Sequence, residues 1–373
     1  MGKKFIFLLS LLVTLSNEFR QALGEKVDNL SCIGDDGSAV DWFIAYKLPR
    51  KSDVPVERGY GYAYLDAKSN GFKLSNFSVA DTKSAMGATM QQVYSNAKTH
   101  EDDMTYVFYN DADPEGKEYS YHGHSKGDFA FGESSGFWLI HSVPKYPNFI
   151  HDGYGYPQSG AYYGQMFLCV TFSSSQFDSV GMQLRYADPH VQDSNLPRSL
   201  THQFPNINAL LQDDVITGVP YSHTVRLVSI AGSGFTHFSK NKNFGKDLYH
   251  ELVAPSLKCN LLTETWQHGS SKIGPSCDGF TVEDITRIKV DTEDKEFEFS
   301  NYADHSKFAV AKSDSFYVCI GDINRMETQF KRGGGTLCTS NKYIWTHFKK
   351  LAEEINSCDS EWNTEPVVIH QYL

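Results

Sequence analysis

The sequence of 373 residues lacks C-x-x-C pairs, lacks an excess of basic residues and, beyond its first residues, lacks any long apolar run. Without paired cysteines a structural zinc site is a poor interpretation, because the ligands of such sites come in closely spaced pairs. A formal net charge of −11 argues against a protein that binds polyanions tightly at neutral pH. Without a later apolar segment, the sequence predicts no membrane insertion.

The N-terminus has the pattern of a secretory signal peptide. Lys3 and Lys4 form a charged start, and the apolar run that follows, Phe5 to Leu15, is too short to span a bilayer. Small residues near Ala22 to Gly24 fit a cleavage site. We therefore expect residues 1–24 to be removed, and the mature protein to be soluble and lysosomal or secreted.

The mature sequence has further features of a lumenal protein. Asn29 and Asn76 each begin an Asn-x-Ser glycosylation sequon. Most of the seven cysteines should be oxidised in such a compartment, and their odd number leaves at least one thiol free or paired outside the chain. The 14 histidines, if fully protonated, would turn the charge of −11 into +3 and permit an anionic substrate in acid. A charge that merely keeps a secreted protein soluble explains the composition equally well.

Sheet-forming segments dominate the mature sequence, which is rich in phenylalanine (25) and tyrosine (21). The alternation of strands with helices predicts a mixed α/β layered fold. The length suits two domains, and the softest boundary, near residues 188–197, predicts halves of 25–195 and 196–373. Strands are predicted at residues 42–48, 106–109, 128–131, 137–140, 164–172, 223–232 and 284–290, and helices at 175–186, 199–211 and 345–355.

A repeated tripeptide is the strongest internal signal. His-Ser-Lys occurs at residues 124–126 and again at 305–307. Each copy precedes an apolar strand, a polar turn that contains serine and a second strand led by an aromatic residue. A hairpin does not require His-Ser-Lys at its start. The duplication therefore indicates two halves that are built alike, face each other and pool their polar tips.

The chemistry of the repeat follows from its spacing. Residues i and i+2 of a strand point to the same side, so each His-x-Lys aims an imidazole and an ammonium into one pocket. Two copies suit phosphodiester cleavage without a metal, in which one neutral histidine attacks phosphorus and the other, protonated, donates to the leaving oxygen. The lysines neutralise the non-bridging oxygens. Activity in acid requires separated histidine pKa values, with a carboxylate or buried acceptor raising that of the acid.

Two other motifs support weaker interpretations. Residues 132–136, Gly-Glu-Ser-Ser-Gly, fit the nucleophile elbow of hydrolases. An elbow needs a helix after it, and an apolar strand follows here, so a hairpin turn is predicted instead. Asp111, Asp113 and Gly116 resemble part of a calcium loop, but Pro114 interrupts that loop.

Histidine-containing and glycine-rich segments leave further alternatives open. His122 and His124 could share a metal, but no third ligand is suitably spaced. His122 and His141 are either groups that support the site or satisfied core histidines. The glycine-rich run 332–338 either cradles a phosphate with its amides or is a plain turn into a disulfide. Aromatic residues could stack single-stranded bases, although most should belong to the core.

Longer segments, which run in order over nearly the whole mature chain, carry a resemblance: DWFIAYKLP (41–49), HGHSKG (122–127), GFWLIHSVP (136–144), YGQMFLCVTF (163–172), FSKNKNFGKDLY (238–249), DHSKF (304–308), CIGDINR (319–325) and RGGGTLC (332–338). They resemble a known family, deoxyribonuclease II, an acid lysosomal endonuclease family. This family is similar in fold to the phospholipase D superfamily, in which two H-x-K motifs meet across a pseudo-twofold axis.

The resemblance implies a mixed α+β fold of two pseudo-symmetric phospholipase D-like halves, each a mixed β-sheet flanked by helices, with the active site between them. It implies metal-independent cleavage of double-stranded DNA at acid pH to 3′-phosphate and 5′-hydroxyl ends, with no cofactor, in lysosomes or on engulfed or ingested DNA. The protein would be a monomer or a homodimer. Cys259 would be a free, buried thiol, and the implied disulfides are Cys32–Cys169, Cys277–Cys358 and Cys319–Cys338.

Carried over by motif, the catalytic residues are His124, Lys126, His305 and Lys307. Analogy with the superfamily makes His124 the nucleophile and His305 the acid. A second class of function stays open, namely a DNA-binding relic without activity, or a phosphodiesterase that acts on lipid or other esters. The intact second His-Ser-Lys argues against the relic.

Supporting residues are less well specified by the resemblance. Asn324 resembles a polar residue that follows the second H-x-K in the superfamily. The superfamily also has an aspartate five residues after each lysine, where this chain has Phe131 and Lys312. Asp322 and Asp304 are then the candidates for raising a histidine pKa. The expected supporting or substrate-binding set comprises His122, His141, Asn324, Asp322 and Asn110.

Overall fold

Two large β-sheets carry the fold. The computed structural model describes residues 26–313 and 315–359, so the expected signal peptide lies outside the described residues. The strands of the first sheet all precede residue 196, and those of the second begin at residue 222. A short ribbon, β1 (Cys32–Ile33) with β2 (Ala39–Val40), packs beside the first sheet.

Eight strands form the first sheet: β3 (Trp42–Lys47), β4 (Tyr62–Asp66), β5 (Lys73–Leu74), β6 (Thr105–Tyr109), β7 (Gly127–Phe131), β8 (Ser135–His141), β9 (Gln165–Ser173) and β10 (Val191–Asn195). They pair antiparallel in the spatial order β10-β6-β7-β8-β9-β3-β4-β5. Every residue of β3 is buried, and its alternate side chains enter two different apolar clusters. The continuous apolar run of this strand therefore reflects a sheet that is covered on both faces.

Nine strands form the second sheet: β11 (Ser222–Val228), β12 (Gly234–Lys240), β13 (Leu261–Glu264), β14 (Val282–Asp291), β15 (Glu296–Ser300), β16 (Phe308–Ala311), β17 (Tyr317–Gly321), β18 (Gly334–Ser340) and β19 (Ala352–Asn356). Their order is β11-β12-β18-β17-β16-β13-β14-β15, with β19 against β14. Strands β13 and β14 run parallel. The mixed α+β composition is confirmed. Among the described strands, parallel and antiparallel pairs occur together only in the second sheet, and the strand pairs of the first sheet are antiparallel.

Helices and short helical turns cover these sheets: α1 (Ala85–Asn96), α2 (Phe177–Ala187), α3 (Pro205–Leu211), α4 (Ala254–Leu257, preceded by the π-helical turn Tyr249–Val253), α5 (Lys342–Leu351), and 3₁₀ turns at Gln158–Ala161, Ser174–Gln176, Arg198–Leu200, Asn301–Ala303 and Glu327–Lys331. The side chain of Ser84 caps α1, and that of Asn341 caps α5. Helix α2 packs on β11, β12 and β18, and α5 packs on β14, β16 and β17.

One hydrophobic core joins the two sheets. It contains Phe129 and Trp138 of the first sheet together with Phe308 and Val310 of the second. Strand β17 also contacts both β8 and β9. Because the core holds the sheets against each other, the chain segments that leave β8 and β17 lie close together.

The two His-Ser-Lys hairpins occupy equivalent places in the two sheets. Strands β7 and β8 pair directly, as do β16 and β17, so both predicted hairpins are confirmed. The order β6-β7-β8-β9-β3 in the first sheet corresponds to β13-β16-β17-β18-β12 in the second. Residues 132–134 form the turn between β7 and β8, and a strand follows them, as expected for a hairpin and not for a nucleophile elbow.

Two predicted helices have different bounds in the structure. The predicted helix 199–211 is a 3₁₀ turn followed by α3, which begins at Pro205 because proline fits the first position of a helix and not its interior. The predicted helix 345–355 was wrong beyond Leu351. From Ala352 the chain forms β19, which pairs with the edge of β14 and brings Glu354 to Arg287.

The cysteines and the sequons, from which the sequence predicts secretion, have definite positions in the structure. The three implied disulfides are present, and Cys259 is free and buried. The sequon residues Asn29 and Asn76 are both exposed. Within residues 26–313 and 315–359, the helices are too short or too polar to cross a bilayer.

Candidate active site

The histidines of both His-Ser-Lys segments meet at one cavity of about 250 Å³, whereas Lys307 does not line it. His124 and Lys126 from the first half line it together with His305 from the second. Asp111 and Glu118 from the first half and Arg332 from the second add further charged groups to the wall. The cavity therefore lies between the halves, where the repeated sequence predicts the shared pocket.

The second half holds His124 in place. The His124 amide donates to the carbonyl of Gly333 (2.9 Å), and its Nδ1 lies 2.5 Å from the carbonyl oxygen of Asp322. Glycines permit this approach, because a Cβ on Gly123 or Gly333 would lie within about 2.2 Å of the Ala187 carbonyl oxygen at the end of α2. A carbonyl accepts only, so Nδ1 carries the proton and Nε2 is left for chemistry.

The first half holds His305 in the same way. The His305 amide donates to the carbonyl of Gly164 (2.8 Å), within a parallel bridge between Gly164 and Asp304. The Nδ1 of His305 lies 2.9 Å from the carbonyl oxygen of Ser142 and 3.2 Å from Oε1 of Gln165. Both partners are acceptors, so here too Nδ1 carries the proton and Nε2 is free.

These contacts have a pseudo-twofold relation. Ser142 directly follows β8, and Asp322 directly follows the equivalent strand β17. The main-chain carbonyl of each residue orients the histidine of the opposite half. The arrangement therefore forms only when the two halves are docked, and neither half holds its own histidine.

The two lysines have unlike surroundings, although both are buried. Lys126 Nζ lies 2.5 Å from Oδ1 of Asp111. Lys307 Nζ donates to the carbonyl of His305. Burial lowers the pKa of Lys307 well below its usual value, and the positive charge of Lys126 is the next largest cause. The carboxyl groups of Asp304 and Glu264 oppose this shift.

Asp111 is the central carboxylate of the site. Its Oδ2 lies 3.6 Å from Nε2 of His124 and 3.3 Å from a terminal nitrogen of Arg332, while its Oδ1 binds Lys126. Burial disfavours the charge, but Lys126, His124 and Arg332 outweigh it and lower the pKa of Asp111. Asp111 therefore stays ionised in an acidic compartment. It binds these cations and no calcium loop forms around it.

The pKa values of both histidines are lowered, but a carboxylate opposes this shift in His124 only. Burial and then Lys126 lower the pKa of His124, and Asp111 opposes them. For His305, burial, Lys307, Lys126 and His124 all lower the pKa, and the opposing contribution is the weak one of the Ser142 carbonyl. A carboxylate thus favours the charged form of His124 alone.

Sequence reasoning assigned no catalytic part to Asp111 or Arg332. Asn110 and Asp111 lie just after β6, which pairs with β7. A polar residue immediately after the strand that precedes the first His-Ser-Lys was therefore the signal that the sequence offered. Arg332 begins the glycine-rich run. Its guanidinium donates to the carbonyls of His122 and Gly123, which directs it into the cavity.

The carboxylates that the sequence proposed as histidine partners lie elsewhere. The carboxylate of Asp322 accepts from Ser125 Oγ (2.6 Å) and from the Gly335 amide (2.9 Å), and only its carbonyl reaches His124. Burial raises the pKa of Asp322 to about 6. Asp304 accepts from Tyr46 and Ser306 and does not contact the His305 imidazole.

The remaining expected supporting residues do not line the cavity. The Nδ1 of His122 pairs with Asp188 (2.9 Å), so His122 and His124 do not converge on a metal. His141 is wholly buried, and its Nδ1 accepts from the Val143 amide. It is a core histidine.

Of the two expected asparagines, Asn110 supports the site from behind it. The side chain of Asn110 donates to the carbonyls of Val143 and Tyr146, which holds the segment after Ser142 in place. The Oδ1 of Asn324 is buried without a hydrogen-bond partner among the described residues, and Asn324 does not line the cavity. Neither residue is positioned to bind substrate in this arrangement.

Two other candidate ligand sites have less support than this cavity. In the described part of the chain, His122, Asp188 and Asp213 bring three ligand atoms within 4.8 Å of one another, but this group lies outside the cavity wall. The glycine-rich run uses the Gly335 amide on Asp322 and continues to the Cys338 disulfide. From Gly334 the run is strand β18, which leads into this disulfide, and only Arg332 of the run lines the cavity.

Comparison with known proteins identifies the family of this chain. The family model described as Deoxyribonuclease II matches residues 31–358. The chain is 37% identical to Plancitoxin-1 of Acanthaster planci, covering 88% of this chain and 92% of that protein. It is 35% identical to Deoxyribonuclease-2-alpha of Sus scrofa (90% and 92%) and 34% identical to Deoxyribonuclease-2-beta of Homo sapiens (88% and 92%). The chain therefore belongs to the deoxyribonuclease II family of endonucleases.

Proposed function

We propose that this protein hydrolyses DNA phosphodiester bonds in acid, without a metal, to 3′-phosphate and 5′-hydroxyl ends. One observation carries the proposal. Two histidines from opposite halves line one cavity, each with Nδ1 held by an acceptor and Nε2 free. A pair of imidazoles in this arrangement supplies a nucleophile and a proton donor without any further group.

We assign His305 as the nucleophile and His124 as the acid, the reverse of the order implied by the superfamily. Burial and the neighbouring cations lower the pKa of His305, which favours the neutral, nucleophilic form in acid. Asp111, 3.6 Å from Nε2 of His124, favours the charged form of that histidine. The difference between the two environments separates the roles.

The reaction then has two balanced steps. Nε2 of His305 forms a bond to phosphorus while the bond from phosphorus to the 5′-oxygen breaks, and His124 gives its proton to that oxygen. In the second step His124, now neutral, takes a proton from water, the oxygen of which attacks phosphorus as the bond to His305 breaks. The products are a 3′-phosphate and a 5′-hydroxyl, and both histidines return to their first states.

The cations of the cavity stabilise the charge that develops on the phosphate. Lys126 and Arg332 face the cavity and are held in place by Asp111 before substrate arrives. Such preorganised donors contribute in the transition state because they need no reorganisation. With a charge of −11 at neutral pH, the protein would bind DNA better as those of its 14 histidines that burial does not keep neutral become protonated. These features support activity in a lysosomal or extracellular acidic lumen.

Plasmid digestion at about pH 5 with EDTA tests the proposal. We expect wild-type protein and a His151→Ala control, whose histidine is exposed and outside the cavity, to cut DNA equally. His124→Ala and His305→Ala should both be inactive. Cleavage that requires a divalent metal, or that survives both substitutions, contradicts the mechanism.

A substrate with a good leaving group separates the two roles. Thymidine 3′-(p-nitrophenyl phosphate) releases p-nitrophenolate, which needs little protonation. His124→Ala should therefore still release a burst of p-nitrophenolate and accumulate a phosphoenzyme, whereas His305→Ala should release none. A burst from His305→Ala and none from His124→Ala reverses the assignment.

A further inference from the structure

The internal repeat is longer than His-Ser-Lys. A tyrosine stands three residues before each histidine, so that both copies read Tyr-x-x-His-Ser-Lys, at residues 121–126 and 302–307. Tyr121 is 72% exposed and Tyr302 is 59% exposed. Large aromatic side chains in this protein are mostly buried, and these two are the exposed members of a duplicated motif.

On the side of the second half, ring contacts connect Tyr302 to the nucleophile. The ring of Tyr302 lies edge-on to His268, with centroids 5.0 Å apart. His268 stacks on Trp266 at 3.5 Å, and Trp266 contacts the His305 imidazole at 5.0 Å. An aromatic surface thus begins at the catalytic histidine and ends at a solvent-exposed tyrosine.

On the side of the first half, Tyr121 has an equivalent setting. Its ring packs on His122 at 4.5 Å and against Tyr119 at 6.3 Å. Tyr119 in turn stacks on His190 at 3.5 Å. The carbonyl of His122 accepts from Arg332, a residue of the cavity wall. The second aromatic surface therefore adjoins the cavity on the side of His124.

We propose that Tyr121 and Tyr302 form two stacking subsites for the nucleotides on either side of the scissile phosphate. The proposal rests on the proposed function, since it takes a nucleic acid chain as the occupant. A polymer that passes through a site with pseudo-twofold symmetry leaves it on two sides, and a duplicated exposed ring beside each histidine fits that path. Aromatic rings stack on every base, so the subsites would not select a sequence.

Matched substrates test this assignment. The DNA substrate reaches beyond the cavity, whereas thymidine 3′-(p-nitrophenyl phosphate) carries one nucleoside. We expect Tyr121→Ala and Tyr302→Ala each to lower kcat/KM for DNA about 10-fold, mainly through KM, and the double variant about 100-fold. At least one of the single variants should hydrolyse the small ester like wild type, because only one side is occupied by that ester.

Two controls separate stacking from other effects. Tyr121→Phe and Tyr302→Phe keep the ring and should keep activity on DNA. Phe280→Ala removes an exposed aromatic ring near Leu261, at the end of β13 away from Trp266, and should have no effect. Alanine variants that cut DNA like wild type, or that lose both substrates equally, overturn the proposal.

A binding measurement keeps this inference distinct from the cleavage mechanism. Anisotropy of a labelled oligonucleotide at pH 5, measured with His305→Ala protein, should show about 10-fold weaker binding when either tyrosine is changed to alanine. Weaker binding by the tyrosine variants, together with a wild type that does not cleave DNA, would support the subsites and contradict the nuclease mechanism. Unchanged binding overturns the subsites, whatever the wild type cleaves.

Discussion

Replacing Asp111 by asparagine tests the electrostatic logic of the site most directly. The carboxylate lies 3.6 Å from Nε2 of His124 and 2.5 Å from Nζ of Lys126. Because the opposite charge of this carboxylate favours the charged imidazole, removing it should lower the pKa of His124 further. With His124 as the acid, the fraction of protonated enzyme at pH 5 then falls about tenfold for each unit by which this pKa falls.

The direction of the pH effect is fixed by the role of His124. Activity that requires protonated His124 is lost as the pH rises through the pKa of this residue. In Asp111→Asn that pKa is lower, so the alkaline limb of the profile of kcat against pH should move to lower pH. Hydrolysis of the p-nitrophenyl ester needs no proton on the leaving group, and its formation of the phosphoenzyme should be less affected.

Stability must be followed in the same experiment. Because the pKa of Asp111 is lowered in the folded state, its stabilising contribution is present above the unfolded pKa of about 4 and persists at pH 5. Removal of the charge leaves Lys126 buried and uncompensated, which costs about 3–5 kcal/mol in comparable pairs. Thermal unfolding at pH 5 should therefore show a lower Tm for Asp111→Asn.

A neighbouring aspartate provides the control. Asp113 is buried and accepts from the Lys117 amide and the Tyr119 hydroxyl, and it does not line the cavity. Asp113→Asn should keep the pH profile of the wild type. An unmoved or upward-shifted alkaline limb in folded Asp111→Asn would refute the assignment of His124 as the acid.

Three further predictions concern other buried groups. Gln165→Glu places a carboxylate against Nδ1 of His305, raises the pKa of this histidine, and should move the acid limb of ester hydrolysis to higher pH; an unmoved limb contradicts the role of His305. Burial raises the pKa of Glu264, so its stabilising contribution is present below about pH 4 and is lost as pH rises, and Glu264→Gln should flatten the fall in Tm between pH 5 and 7. Without reductant, thiol titration should find one reactive thiol per denatured chain and none in Cys259→Ala, and a different number contradicts the disulfide pattern.

The sequence specified the repeated hairpins well because their information is local. Apolar runs such as residues 137–140, bounded by turn residues, determine strands over a few positions. The shared face expected of His-x-Lys holds for the first copy, where His124 and Lys126 both line the cavity, but not for the second, where His305 lines it and Lys307 does not. The C-terminal helix was less predictable. Residues after Leu351 continue a helical pattern, but pairing with the edge of β14 determines their structure, and that edge is a tertiary feature.

The partners of the histidines could not be predicted for a different reason. Ser142 and Asp322 act through main-chain carbonyls, which every residue possesses and which leave no mark in the sequence. The sequence search considered side-chain carboxylates and so selected Asp304 and the carboxyl group of Asp322. Asp111 reaches its partners only because β6 and β7 are neighbours in the sheet.

The use of uncharged acceptors on the Nδ1 atoms becomes understandable from these contacts. A carboxylate on Nδ1 would raise the pKa of the nucleophile, and in an acidic lumen the histidine would then be protonated and unable to attack. The carbonyl of Ser142 orients His305 through the same hydrogen bond without adding a negative charge. Phe131 and Lys312, at the positions of the superfamily aspartates, lie outside the cavity wall, on Phe177 and against Glu283 respectively. Asp111 faces the histidine that we assign as the acid. A nuclease that works in acid therefore needs unequal surroundings for two histidines of the same motif.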